Sequence, residues 1–162
     1  MEHSNQHESK GNYTKFILML AASFIAMYIT MYLNTYSIDH VYFSLTRFYM
    51  SCLGIAAMAI IMWFFTRKMY QNKKKNIAIL LGSLILFVGA LGLVRAQSPI
   101  IGDILWMKAM IPHHSIAILT SKRADIKDPE AKKLAEEIIE AQLREIAQMK
   151  KIIYRLENKK EE

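Results

Sequence analysis

Residues 77–94 read IAILLGSLILFVGALGLV, a run of 18 positions without a charged side chain. Two earlier runs of the same length and character lie at 16–33 and 48–65. A helix needs about 20 mostly apolar residues to cross the hydrocarbon core of a bilayer, within a range that includes these lengths. The sequence therefore predicts an all-α integral membrane protein with three transmembrane helices in the region 16–94.

Basic residues are concentrated in the connection between the second and third runs. Five of them lie between Arg67 and Lys75, whereas the connection 34–47 contains Arg47 alone. Because basic connections tend to stay in the cytoplasm, we expect the leader 1–15 and the loop Arg67–Lys75 to be cytoplasmic and the chain after the third run to lie outside. This loop also explains much of the net charge of +7, so nucleic acid is not an expected partner.

The composition changes after the third run, where charged residues of both signs accompany apolar residues at helical spacing. Asp103 is well placed to cap a first helix, and Pro112 predicts a kink or restart within it. A second helix is predicted to open with Asp128 and Pro129 and to continue to about Glu157. The short polar turn between the helices predicts an antiparallel hairpin.

The seam of this hairpin, which is the domain 95–162, carries residues that are unusual for a helix interface. On the second helix the polar Gln142 and Glu145 occupy consecutive seam positions and are followed by Met149. Folding the hairpin about its turn predicts that Met110 is roughly level with Gln142, and Met107 with Glu145. The first helix contributes Asp103, Met107, Met110 and His114, with His113 beside them.

These residue types indicate a soft metal. Two thioethers three residues apart and an imidazole four residues further on reach one ion from the same side of a helix. Thioether sulfur is a poor ligand for Zn, Mg or Ca but suits Cu(I) and the similar Ag(I), and imidazole also binds copper. The equally weighted alternative is that the methionines are flexible core filler and the histidines satisfy the helix around Pro112. The copper site would comprise Met107, Met110, His113, His114 and Met149.

Other candidates for chemistry are weaker. Four more residues could touch a metal, but isolated groups on flexible segments are more often solvated; they are His3, His7, Asp39 and His40. No Glu-x-x-His pair occurs in the chain, which disfavours a di-iron oxidase. We therefore do not expect an enzyme.

The stretch WMKAMIPHH at 106–114, followed by LAEEIIEAQLREIAQM at 134–149, closely resembles the bacterial family called domain of unknown function 305. The resemblance covers roughly residues 100–156. Members look like ferritin-like helical bundles, and some are periplasmic copper or silver binders associated with metal resistance. The resemblance implies that Asp103, Gln142 and Glu145 assist the ligands named above. Family members often carry Gln-Met or a similar pair after the two histidines, whereas this chain has Ser115 and Ile116, so one possible sulfur ligand is missing.

A single hairpin is half of a four-helix bundle, so we expect a homo-oligomer formed through it or packing against the spans. The leading hypothesis is a protein of the bacterial cytoplasmic membrane that holds Cu(I) or Ag(I) on the outer side, for buffering or for handover to an exporter or chaperone. The alternative is a structural or regulatory membrane protein whose hairpin binds a partner helix without metal.

Overall fold

The computed structural model describes residues 2–67, 69–70, 72–97 and 99–158, with the backbone alone described for 2–12. Within these residues there are five α-helices, one short 3₁₀ helix and no strand. The predicted all-α fold is confirmed. The helices are α1 (Glu2–Thr30), α2 (Leu45–Thr66), α3 (Lys73–Ala96), α4 (Asp103–Arg123) and α5 (Pro129–Asn158).

The first three helices contain the predicted apolar runs. The segments Tyr13–Thr30, Leu45–Thr66 and Lys73–Ala96 are each long and apolar enough to cross a membrane. Their ends differ from the predicted ones by at most four residues. The leader 1–15 is not a separate element, because the backbone of α1 is helical from Glu2 onward. The side chains of His3 and His7 lie outside the described residues.

Close packing fixes the contact between α1 and α2. A Cβ atom added at Gly54 would lie 2.9 Å from Met27 Sδ, so a larger residue at this point of α2 would require the end of the Met27 side chain to move. Phe24 and Phe48 add an edge-to-face ring contact with centroids 5.5 Å apart, a geometry that stabilises aromatic pairs. Small residues at helix contacts are typical of apolar helices that pack within a membrane.

Helices α4 and α5 form the predicted antiparallel hairpin. Lys108 Nζ contacts Glu157 Oε1 at 2.6 Å, while His114, later on α4, contacts Glu145, earlier on α5. The start of α5 is capped as predicted, since Asp128 Oδ1 accepts a 2.8 Å hydrogen bond from the Ala131 amide. The apolar core of the hairpin consists of Met107, Ile111, Ile118, Ile146, Met149 and Ile153.

The predicted register of the hairpin is wrong by seven residues. It placed Met107 level with Glu145, but His114 lies there instead. A symmetric turn would produce the predicted register, whereas Ala124 after α4 has an extended backbone (φ −69°, ψ 139°). The connection therefore carries the first two turns of α5 beyond the end of α4.

Two local predictions for α4 also need correction. The helix is continuous through Pro112, so the restart did not occur. Proline removes one backbone hydrogen bond, but Ile111 and Pro112 are both fully buried, and their packing offsets that loss. The capping position is held by Gly102, and Asp103 is the first helical residue.

The hairpin forms one compact unit with residues 30–45, which connect α1 to α2. This compact unit thus contains the connecting segment in addition to residues of the predicted domain 95–162.

Candidate metal site

Three of the predicted sulfur ligands lie together in the hairpin. Met107 and Met149 are almost fully buried in the apolar core, with exposed fractions of 3% and 6%. Met110 is partly buried and packs against the same core. Met110 lies one helical turn before His114 on α4, and Met149 lies one turn after Glu145 on α5. Because His114 and Glu145 are level in the hairpin, Met110 and Met149 are level as well. The thioethers therefore occupy adjacent layers of one interface.

His114 lies one helical turn beyond Met110 on α4 and faces Glu145 of α5. Its buried Nδ1 atom is 3.0 Å from Glu145 Oε2, close enough to pair with the carboxylate, although the angle is poor for a hydrogen bond. Burial is the main cause that lowers the pKa of His114 from its usual value; Glu145 opposes this shift and His113 adds to it. The imidazole is therefore held neutral near pH 7, the form that binds metals.

The remaining predicted ligands are less well placed. His113 points to the exposed side of α4, with its ring 6.1 Å from that of His114. Asp103 is exposed at the start of α4, about 10 Å along the axis from Met110. Gln142 is half-buried, one turn before Glu145 on α5. The structure thus brings together Met107, Met110, His114, Glu145 and Met149, and leaves Asp103 and His113 at the margin.

The donor set decides which ion fits. Among the described residues, no group of three or more His, Cys, Asp or Glu side chains could hold a metal ion. Zinc sites are usually built from such groups, whereas hard cations also bind backbone carbonyls and water. Three thioethers with one neutral imidazole instead fit Cu(I) or Ag(I). The same packing also fits the alternative in which Met107 and Met149 serve as core filler.

Sequence reasoning missed a second polar cluster on the other side of α4. Ser115 is fully buried, and its Oγ accepts a 2.7 Å hydrogen bond from the Tyr36 amide and lies 2.9 Å from His40 Nδ1. His40 belongs to the short 3₁₀ helix Ile38–His40. Its exposed fraction is 6%, so the expectation that it is solvated is wrong. The segment 36–42 is thereby attached to the hairpin.

Charged groups at the edge of this segment strengthen the attachment. Lys150 of α5 forms an ion pair with Asp39, and together with the Ser37 hydroxyl it lowers the pKa of Asp39 to about 2. Lys122 of α4 donates a 2.8 Å hydrogen bond to the Tyr36 hydroxyl. Tyr42 packs against the apolar core of the hairpin.

One sequence signal could have pointed to this attachment. It is Ser115 itself, which stands where the resemblance leads one to expect a larger side chain. A small buried hydroxyl at that position leaves room for the backbone of residues 36–40.

The comparisons with known proteins agree with the position of the hairpin. The family model for the Domain of unknown function (DUF305) matches residues 93–153. An uncharacterized protein of Acanthamoeba polyphaga mimivirus is 35% identical over 153 residues, covering 91% of this chain and 98% of the relative. Its similarity therefore extends well beyond the hairpin. No solved structure matches the chain. With the family model on α4 and α5 and a relative that aligns over nearly the whole length, the chain belongs to the DUF305 family.

Proposed function

We propose that this protein is a membrane-anchored binder of Cu(I) or Ag(I) that buffers the ion or hands it to a partner. The observation that carries the proposal is His114, whose Nδ1 lies 3.0 Å from Glu145 Oε2 one helical turn from Met110, a thioether that packs against the core containing Met107 and Met149. A carboxylate at Nδ1 fixes the tautomer of a neutral imidazole and would present its Nε2 to a bound ion. The function is coordination and exchange, without catalysis.

The ligands have separate roles in this proposal. Met107, Met110, Met149 and His114 hold the ion, and Glu145 orients the His114 ring, as carboxylates commonly do for ligating histidines. Met110 is partly exposed, which gives the ion a path to and from the site. The auxiliary residues are Asp103, His113 and Gln142, which contact the ion during entry or release.

Three apolar helices support a membrane location. We place the loop Arg67–Lys75 in the cytoplasm, because it holds the densest group of basic residues. Three crossings then put the hairpin on the outer side of the membrane. The resemblance implies the bacterial cytoplasmic membrane, and a copper exporter or chaperone as the partner that exchanges the ion.

The hairpin also has an apolar stripe on α5 that is only partly covered by α4 and that supports self-association. Leu134 is 56% exposed on α5, and Ile138 and Ile152 are half-buried on the same side as Glu145. These residues are separated by combined steps of three and four positions along α5, so their side chains lie in one stripe. Two copies that join these stripes would complete a four-helix bundle. The same stripe favours the alternative function, in which a different partner helix binds there without metal.

The test is a Cu(I) titration of the full-length protein in detergent against a competing chromophoric chelator. The full chain is needed because residues 30–45 are part of the hairpin unit. Met110→Leu and Met149→Leu remove a thioether while nearly keeping the side-chain volume. Each should weaken Cu(I) binding at least about tenfold, since even outer-sphere changes commonly cost 10–100-fold. Combining Met110→Leu with His114→Ala should abolish tight binding.

The matched control is Met58→Leu, which removes a thioether from α2, outside the hairpin. It should bind Cu(I) like the wild type. If the wild type does not compete with the chelator, the copper proposal is refuted and the partner-helix function takes its place. That function predicts that Leu134→Ser disrupts an assembly while no variant responds to metal.

A further inference from the structure

An apolar cleft lies among the three apolar helices. It has a volume of about 510 Å³, within the usual range for ligand pockets. Ala56, Ala59 and Ser83 are buried at its floor, whereas Ile17 and Leu86 at its rim are 53% and 42% exposed. The cleft therefore opens sideways, toward the lipid if the helices span a membrane.

A second cleft of about 440 Å³ continues the first one toward the start of α3, and both are lined by Ile17, Ala78 and Ile79. Its polar end is formed by Tyr13 and Lys75. The Lys75 ammonium lies 4.9 Å from the Tyr13 ring centroid. Tyr13 is fixed by a 2.9 Å hydrogen bond from its hydroxyl to Asn76 Oδ1. A positioned cation thus stands at the end of an otherwise apolar groove.

The start of α3 attracts an anion for a second reason. Lys73, Lys74 and Lys75 occupy its first turn, and that turn contains no acidic residue. The N-terminus of a helix carries about half a positive charge and unpaired amides, so lysines there repel one another and the helix dipole. The Lys75 amide already donates to Asn72 Oδ1, so a phosphate group would relieve this repulsion through the charges of the lysines and of the helix N-terminus.

The length of the groove fits one lipid chain. Lys75 and Leu86 are eleven positions apart on α3, which corresponds to about 16 Å along a helix. Half the hydrocarbon core of a bilayer is about 15 Å. A phosphate at Lys75 would therefore place an acyl chain along the whole cleft, within a single leaflet.

We propose that this groove binds an anionic phospholipid, with its phosphate at Lys75 and one acyl chain between α1 and α3. A second copy of the chain fits the groove less well, because in the same membrane orientation it would bring its own three lysines to the same depth. The inference rests on the membrane location given under the proposed function, and it is independent of the metal site.

The experiment is native mass spectrometry of the full-length protein in detergent, with phosphatidylglycerol and phosphatidylcholine of identical acyl chains. The wild type should retain phosphatidylglycerol preferentially. Lys75→Gln should lower that preference about fivefold, the effect of one lysine near an anionic membrane surface, whereas Lys74→Gln, outside both clefts, should lower it less.

A second pair of variants tests the acyl-chain cleft. A Cβ atom at Gly82 or at Gly89 meets nothing within 4 Å, so both positions accept a larger side chain. Gly82 lines the cleft and Gly89 does not. Gly82→Leu should reduce retention of both lipids, and Gly89→Leu should leave it unchanged.

Three results would overturn the inference. The first is equal lipid retention in Gly82→Leu and Gly89→Leu, and the second is an equal loss of phosphatidylglycerol preference in Lys75→Gln and Lys74→Gln. The third is a change of oligomer mass in Gly82→Leu without a change in bound lipid, which would assign the cleft to a second copy. Alkaline extraction of membranes tests the location separately. A chain released by alkali contradicts the membrane assignment itself, whereas a retained chain without lipid preference contradicts the lipid site alone.

Discussion

Replacing Ser115 by alanine should release the segment 36–42 from the hairpin while leaving α4 intact. Ser115 is fully buried, and its hydroxyl is shared by the Tyr36 amide and His40 Nδ1. We assign the Tyr36 amide as donor to Oγ, and the Ser115 hydroxyl as donor to a neutral His40. This tautomer directs the Nε2 hydrogen of His40 toward Asp39, whose Oδ1 lies 3.8 Å away.

The magnitude follows from the two groups that lose their partner. A buried polar group without a hydrogen bond costs about 1–3 kcal/mol. The hydrogen bond from the Tyr36 amide to Ser115 Oγ is only part-buried, so the lower end of this range, about 1 kcal/mol, applies there. His40 Nδ1 is buried and takes the full range. Together, docking of the segment should weaken by about 2–4 kcal/mol, which is at least about 30-fold in its opening equilibrium.

Hydrogen exchange of the full-length protein in detergent, followed by mass spectrometry, measures this opening directly. Peptides covering 31–44 should exchange at least about 30-fold faster in Ser115→Ala, and peptides from α4 should be unchanged. Ser121→Ala is the matched control, since Ser121 is a half-buried serine of the same helix. Unchanged exchange over 31–44 in Ser115→Ala would refute the proposed attachment.

Other outcomes follow from the same contacts. Burial is the main cause that lowers the pKa of His40 from 6.5, while Asp39 opposes the shift and Lys150 adds to it. The undocked state therefore binds the proton more readily, and docking should weaken as the pH falls below 6.5. Hydrogen exchange over 31–44 at several pH values measures this effect. Lys150→Ala should change the free energy of docking by less than about 1 kcal/mol, because the ion pair of Lys150 with Asp39 is partly exposed. In the same variant, carboxyl NMR should show that the pKa of Asp39 rises from about 2. Ile118→Ala, at a fully buried position, should destabilise the hairpin by about 2–5 kcal/mol, measured by exchange in α4 and α5. Cu(I) affinity should fall only when the pH drops below the ordinary histidine range, because burial lowers the pKa of His114. A pH-independent affinity would argue against His114 as a ligand.

The sequence was sufficient to predict that the five α-helices exist, because each signal is local. A run of apolar residues marks a span wherever it occurs, and the start of α5 was predicted from Asp128 and Pro129, whose capping chemistry acts within one turn. The ends of α1 were predicted less well. Its backbone is helical from Glu2, within the predicted leader 1–15, and it ends at Thr30. This second end was missed because the uncharged residues Met31–Leu33 are compatible with both a helix and the connection that follows it. Charged residues indicate where a membrane span ends, but they do not determine which residue makes the last helical hydrogen bond.

The hairpin shows where local signals stop being sufficient. The pairing of α4 with α5 was evident from two apolar stripes, but the register depended on the backbone of a five-residue connection, Ala124–Asp128. Its extended start shifts the partner of Glu145 from Met107 to His114. The restart predicted at Pro112 was wrong for a different reason. The local signal for a helix break is strong there, but the burial of Ile111 and Pro112 outweighs it.

The segment 30–45 could not have been assigned to the hairpin from local patterns. Ser115 signals room for a neighbour on α4, but it does not identify that neighbour, because His40 and Ser115 are 75 positions apart. The family match at 93–153 does not contain this segment either. Ser115 and His114 are adjacent on α4, yet one side chain meets the segment and the other meets α5. A hairpin separated from residues 30–45 would leave the Ser115 hydroxyl without its partners and uncover the core where Tyr42 packs. The compact unit that contains the hairpin is therefore larger than the family match, because it also includes residues 30–45.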